Sequence, residues 1–253
     1  MQFKERTVSR PSETSLTLGA SLADQVVRFV TNAAAAGDLE VGRFYSVYQL
    51  AEQLGISRSP VREGLLRLEE AGLIQFSRNK GFEILPVGPQ DVAEIFGMRM
   101  AVEVPAAARA AKRADRTWCA DADQITETMT ALASAGDVEA FMEQDRRLHD
   151  LIMDASGALR GRDVVNRLRV STSRLGVSTA GKERSLDQIL REHAPILQAI
   201  RDGDAQRAAA AMREHLCRTG LLLVEQTWSA LPTDSPLRQS EPSEVWHDFT
   251  INT

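Results

Sequence analysis

Apolar positions in the first third of the chain come in short groups of changing period. Leu50, Ala51 and Leu54 recur at helical spacing and stop at Gly55, a residue suited to the positive φ of a helix C-cap. Ile56 is a lone apolar residue in the turn that follows, placed to plug the space between two helices. Ser59-Pro60 predicts the next helix start. The hydroxyl can cap free backbone N–H groups, and proline fits the first turn, where its missing N–H costs nothing. Val61, Leu65 and Leu68 form one apolar stripe, Gly72 ends the helix and Leu73 closes the core beneath it. The period then drops to two. Ile74 and Phe76 alternate with polar residues, Arg78-Asn79-Lys80-Gly81 makes a turn, and Phe82 and Ile84 alternate again, which predicts a β-hairpin.

Past Pro86 the pattern is helical almost throughout. Val87-Gly88-Pro89 reads as a linker, and helices are predicted over 89–113, 116–135, 137–155, 159–179, 185–202 and 204–228. Asp137 and Asp204 each follow glycine and precede an apolar-periodic run, as N-caps do, and Asp202-Gly203-Asp204 is a turn. Pro195 should kink the helix that contains it. The fold class is mainly α: an N-terminal winged helix-turn-helix of three helices plus a small β-hairpin, then an all-α antiparallel helical bundle. The expected divisions are a flexible arm at 1–20, the winged head at 21–86, the bundle at 87–230 and a tail at 231–253. The arm and the stretch beginning LPTDSPLRQSEPSE at Leu231 are rich in polar residues and proline and are read as mobile.

The second helix of the head carries the first chemistry. Arg58 and Arg62 sit four apart and off the apolar stripe, with Ser57 and Ser59 flanking Arg58. A recognition helix presents its N-terminal residues to DNA, where arginine grips guanine bidentately and hydroxyls suit phosphate oxygens. The hairpin tip, Arg78, Asn79, Lys80 and Gly81, then makes a basic wing able to touch backbone or minor groove. A helical hairpin with solvated surface arginines is the alternative. Cap, stripe, basic face and basic wing agree on a DNA reader, and agreement across levels decides for it.

Composition changes this picture little. The 253 residues are 43% hydrophobic and 26% charged, as in soluble globular proteins. No apolar run reaches the roughly 20 residues of a membrane helix, and MQFKERTVSR lacks the apolar region of a signal peptide. With Cys119 and Cys217 the only cysteines, no disulfide framework is expected, and a cytoplasmic location with no membrane partner fits. The net charge of −5 sits oddly with DNA until it is divided. Residues 1–86 hold ten basic and ten acidic residues, so the deficit lies wholly after residue 86, while Arg58 to Lys80 holds five basic against three acidic.

Three of the four histidines fall in the bundle, at His149, His193 and His215. Asp145 precedes His149 by four and shares its helix face, and His193 and His215 lie on two later helices. Imidazoles and a carboxylate suit zinc, nickel or a similar cation, and bundle cores build such sites from facing helices. Separations this long have no fixed meaning, and histidines on solvated helical faces are the alternative.

Two resemblances extend the reading. LAEQLGISRSPVREGLLRLEEAGLIQFSRNKGFEI, within about residues 20–86, resembles the winged helix-turn-helix domain of the GntR family of bacterial transcription regulators, whose "SRxPVREAL" motif is matched almost throughout. Val41-Gly42 stands where the family usually has Pro-Gly, and Gly64 where it usually has Ala. Gly64 is expected to cost an exposed helix about 1 kcal/mol against Ala. Tyr48 stands where many members carry a charged residue near the DNA backbone, and is included in the contact set. Over about 89–228, DRRLHD, REHAPILQAI and MREHL, with MRMAVEVPAAARAA at 98–111, resemble the FCD effector-binding domain of the FadR subfamily. That resemblance implies a divalent metal held by Asp145, His149, His193 and His215, zinc first with nickel or manganese as alternatives. The metal would dock a small organic acid. Arg99 would be a bidentate partner for its far end unless it pairs with Glu103, and Asn166 would be a second contact unless it faces solvent. Gly157-Ala158-Leu159 replaces the family's frequent "G-N-P", and Cys217 is read as core.

The sequence therefore points to a transcription repressor or other regulator that acts as a homodimer on a pseudo-palindromic double-stranded operator, with an effector altering the placement of two heads. A metal-dependent hydrolase and a metal sensor are the competing readings. The hydrolase is disfavoured, because no glutamate stands in a general-base motif such as HExxH, and the chain is read as no enzyme.

Overall fold

The computed structural model describes residues 21–35, 38–85, 88–174, 179–180, 184–235, 237–238 and 240–250. It divides into two compact units between residues 86 and 87. The expected arm at 1–20 lies outside the described residues. No helix among them is long and apolar enough to cross a membrane.

The first unit packs α1 (Leu22–Ala35), α2 (Val47–Leu54) and α3 (Arg58–Glu70) around Val26, Val30, Val61, Leu65 and Leu68, all nearly inaccessible. Ser46 caps α2 by accepting from the Tyr48 N–H, and Gly55 closes it at φ 67°, the left-handed cap its position implied. α3 starts two residues before the Ser59-Pro60 signal. Ser57 is its N-cap residue, with no side-chain cap bond, and Pro60 occupies the first turn instead of the first position. The wing has one strand more than the hairpin. β2 (Ile74–Ser77) and β3 (Gly81–Ile84) pair antiparallel, and β1 (Phe44–Tyr45) pairs with the free edge of β3 to give the order β1-β3-β2. Two residues are too few to show a period of two, which is why β1 is not visible in the sequence.

Gly64 corrects the sequence reading. It is buried against α1, not exposed. A Cβ there would stand 2.7 Å from the Ala23 carbonyl oxygen and 2.8 Å from the Val26 Cβ. The helices approach closely because nothing projects at residue 64, so glycine sustains packing that alanine would push apart.

The second unit holds α4 (Pro89–Ala111), α5 (Arg116–Ala135), α6 (Val138–Ala155), α7 (Leu159–Arg174), α8 (Leu186–Arg201) and α9 (Ala205–Ala230). Asp115, Asp137 and Asp204 cap three of them through their carboxylates, and Ser185 with Gln188 forms a capping box on α8. α8 is one continuous helix through Pro195. Its apolar face and those of α4 and α9 close the core over Phe96, Met100, Ile196 and Leu216. α6 and α7 meet at Met153 and Val165, with Ala106 of α4 beneath them. A polar ladder runs beside this contact. Arg162 holds Asp154 at 2.7 Å, Asn166 donates to Asp150 at 2.8 Å, and Arg169 holds Asp145.

The stretch after 230 departs from a plain tail. Pro242–Thr250 forms α10, with Val245 and Trp246 buried. Trp246 rests on Gly220 of α9, where a Cβ would lie 2.3 Å from the ring, and the Phe249 carbonyl approaches Gly97 of α4. Trp228 donates from Nε1 to the Ser240 carbonyl at 3.0 Å, and the Arg238 guanidinium covers the Trp228 ring at 3.9 Å. The polar, proline-rich composition of 231–241 hides this helix, because only Val245, Trp246 and Phe249 carry its apolar face.

Candidate DNA-reading face and metal centre

In the head, Ser57, Arg58, Ser59 and Arg62 are exposed along the first turns of α3, and Arg78, Asn79 and Lys80 are exposed at the wing tip. The cations rest on aromatic rings. Arg58 lies 4.8 Å from the Tyr48 ring centroid, Arg62 5.9 Å from Phe76 and Lys80 5.0 Å from Phe44. Such contacts orient a side chain while leaving its N–H groups toward solvent. Tyr48, 49% exposed, is thus a platform for Arg58. At the wing turn Asn79 takes φ 63° and Gly81 φ 95°. Glycine is required at 81, since a Cβ would stand 2.0 Å from the Tyr45 carbonyl oxygen.

In the bundle, α6 contributes Asp145 and His149, α8 His193 and α9 His215. All four are buried, and one nitrogen from each histidine lies within 4.8 Å of the others. The imidazoles are oriented from behind. His149 Nδ1 donates to Glu103 Oε2 of α4 at 2.5 Å, and His193 Nδ1 donates to the Ile189 carbonyl one turn back at 2.9 Å. An acceptor-only partner fixes the proton on Nδ1, so in the neutral rings both Nε2 atoms are acceptors. Those two Nε2 atoms lie 3.3 Å apart, and Asp145 Oδ1 stands 3.2 Å from His193 Nε2. Three acceptors facing each other in a buried site call for a shared positive centre, which is the chemistry of a metal-binding set, with Glu103 holding the His149 ring from behind. His215 Nδ1 is buried without a hydrogen bond, 3.6 Å from Glu192 Oε2. Asp145 stands at the edge of the group. One oxygen faces His193 and the other takes Arg169.

Electrostatics keep this set in ligand form. Burial pushes the His149 and His215 pKa values below the ordinary imidazole range, His215 well below, with Arg169 adding to the effect on His149 and His193 to that on His215. Burial alone would raise the carboxyls. For Asp145, Arg169 and His193 outweigh it and hold the group well below the usual carboxylate range. For Glu103, Arg99 and His149 do the same. The structure therefore brings neutral imidazoles at His149 and His215 together with ionised carboxylates, the forms that bind zinc-class cations.

Arg99 is 5% exposed, and its Nε donates to Glu103 at 2.7 Å, so the pairing with Glu103 exists and is buried instead of superficial. Asn166 is half-buried: Nδ2 donates to Asp150, and Oδ1 is buried with no hydrogen bond. Cys217 is half-buried, 3.5 Å from the Met100 sulfur, on the apolar side of α9. Arg169, Arg184 and Glu192 were not singled out by the sequence. Arg184 holds Glu192 at 2.5 Å and Thr179 at 2.5 Å. Beside them opens a cavity of about 710 Å³ between α8 and α9, lined by Arg184, Glu192, Pro195, His215, Arg218 and Leu222. The available signal was the hairpin of α6 and α7. Stepping back from Asp154 by about a turn at a time while stepping forward from Arg162 brings Asp145 opposite Arg169.

Comparisons with known proteins agree on both halves. Residues 22–84 match the model of bacterial regulatory proteins of the gntR family, and residues 94–218 match the FCD domain. The chain is similar to the HTH-type transcriptional repressor RspR of Escherichia coli, at 24% identity over 66% of this chain and 74% of the relative. It is also similar to a probable D-xylose utilization operon transcriptional repressor of Paenarthrobacter nicotinovorans, at 26% identity over 78% and 86%. Among solved structures, E. coli McbR/YncC superposes with a TM-score of 0.64 at 24% identity, covering 82% of this chain and 99% of that one, which shows a common fold. The matched domains and these relatives are regulators, not enzymes, so the hydrolase reading falls away. With a gntR-type reading head followed by an FCD domain, the chain belongs to the GntR family of DNA-binding transcription regulators.

Proposed function

We propose that this regulator is a repressor whose hold on its operator is set by a small carboxylate docked at a metal centre in the FCD domain. The observation that carries the metal is the meeting of His149, His193 and His215 nitrogens within 4.8 Å, with two of the rings locked to point acceptors at each other. His149, His193, His215 and Asp145 would hold the ion, with zinc suited to three imidazoles and a carboxylate and nickel or manganese as alternatives. When bound, the ion supplies a positive docking point for a carboxylate oxygen. The chain's own part is to keep His149 and His215 neutral, brace His149 and His193 through Glu103 and Ile189, and provide the cavity beside His215. Arg99 and Asn166 are candidate effector contacts from the α4 and α7 sides.

On the DNA side, Ser57, Arg58, Ser59 and Arg62 would enter the major groove, Tyr48 would steady Arg58, and Arg78, Asn79, Lys80 and Gly81 would meet the backbone or minor groove. A homodimer would set two such heads on a pseudo-palindromic operator, in the cytoplasm where that DNA lies. Repression is supported by the named function of RspR and of the D-xylose operon relative. Purified protein should carry one ion per chain by elemental analysis and shift a short inverted repeat near its own promoter. Effector titration should change that shift only while the ion is present. An effector response that survives complete metal removal would sink the proposal.

A further inference from the structure

We propose that Arg169 is the residue that receives the effector's carboxylate, and that it does so by giving up Asp145 to the metal. This rests on the metal reading above. Asp145 Oδ2 is held by the Arg169 guanidinium, while Oδ1 faces the His193 Nε2 acceptor at 3.2 Å. A cation that takes Asp145 through Oδ1 draws on the same carboxylate charge that holds Arg169 through Oδ2, and so weakens that hold. It also places a second positive charge beside the guanidinium, in a site where both side chains are about nine-tenths buried.

Charge balance says what must follow. The buried cluster contains three cations, Arg99, Arg169 and Arg184, and three anions, Glu103, Asp145 and Glu192, with Arg99 on Glu103 and Arg184 on Glu192. These six cancel. A divalent ion adds two positive charges that nothing in the cluster offsets, and uncompensated charge in a buried site is costly. An incoming carboxylate supplies one of the two missing negative charges, and a dicarboxylate supplies both. Arg169 is the cation placed to grip it, because its partner's charge is now shared with the metal, and the planar fork matches a carboxylate bidentately.

The place of Arg169 in the fold gives the exchange a mechanical reading. It is the last rung of the α6–α7 ladder, after Arg162–Asp154 and Asn166–Asp150. Moving Arg169 from Asp145 to a ligand exchanges a helix-to-helix tie for a helix-to-ligand tie, while the other two rungs stay. Effector binding thus changes how the C-terminal end of α7 is held without unfolding either helix.

The test is zinc affinity of the full-length protein, by competition with a chromophoric chelator after stripping, without and with succinate as probe anion. Wild type should bind zinc at one site per chain, and more tightly with succinate. Arg169→Gln removes a like charge beside the ion, so it should bind zinc about tenfold tighter than wild type without succinate. It should then gain nothing from succinate. Zinc binding by R169Q equal to or weaker than wild type overturns the competition, and a succinate gain kept in full by R169Q, or absent from wild type, overturns the anion role. Wild type that binds no zinc, nickel or manganese overturns the metal reading itself, a result distinct from any difference between the two proteins. Circular dichroism checks the fold. Should R169Q fail to fold, Arg169→Lys decides: a point charge without the fork should cut the succinate gain severalfold, and an unchanged gain overturns the proposal.

Discussion

The head and the bundle both depend on arginine, and they keep it in opposite ways. Arg58 and Arg62 of the head are exposed and lie over aromatic rings. Arg99, Arg169 and Arg184 of the bundle are largely buried and each is paired with a carboxylate. A ring holds a guanidinium in place without using its N–H groups, so the head keeps its donors for an outside partner. A carboxylate uses those donors, so the bundle can engage a new anion only by exchanging an existing bond. One surface is ready before its ligand arrives, and the other must rearrange. That difference suits a reader governed by a sensor.

The largest effect that would break the comparison is on the head. Replacing Arg58 and Arg62 together by alanine should weaken operator binding by at least about 100-fold in a gel-shift titration, with metal content unchanged. If metal content fell too, the two units would not be acting separately. Next comes His193→Ala, which removes a central imidazole and should lower zinc affinity by more than about 100-fold by chelator competition, given that even outer-shell changes cost 10–100-fold. DNA binding in the absence of effector should persist in that variant. If elemental analysis found full metal, the ligand set would be wrong.

A smaller effect tests packing alone. Gly64→Ala gains about 1 kcal/mol of helix propensity but forces α1 and α3 apart, and overpacking typically costs about 1–3 kcal/mol. The head should lose up to about 2 kcal/mol on balance, seen as a lower thermal midpoint. A raised midpoint would mean that α1 yields easily to the new methyl group. Smallest of all, Tyr48→Ala removes the ring under Arg58 and should weaken operator binding only about two- to fivefold, by freeing the arginine instead of deleting it. A loss as large as that of the double arginine variant would make Tyr48 a direct contact.

The same division explains what the sequence discloses. The marks that make the head legible as a reader lie within a few residues of one another: Gly55 at its cap, Val61, Leu65 and Leu68 on one stripe, Arg58 and Arg62 off it. Local chemistry is what periodicity records. The centre in the bundle draws on five helices, and the residues that decide its electrostatics, Glu103, Arg169 and Glu192, carry no mark beyond being charged residues on amphipathic helices. The three histidines and Asp145 stand out as ligand-type residues, but only the resemblance joins them into one set, since separations of 44 and 22 residues have no period to read. Gly64 was misjudged for a related reason. A glycine inside a helix reads as a local cost, and only the neighbour 38 residues earlier, Val26, shows it to be a contact.

The seat beneath Trp246 has a consequence for descent. Gly220 and Gly97 leave room for α10 alone, and even a methyl group at either place would meet the indole or the Phe249 backbone. Two mutations of one base, hundreds of bases apart in the gene, would each evict the last helix. The glycines and the C-terminal segment must therefore be inherited as one trait. Among homologues, chains that end near residue 230 should be free to carry alanine or larger at 97 and 220, and chains that keep the helix should not.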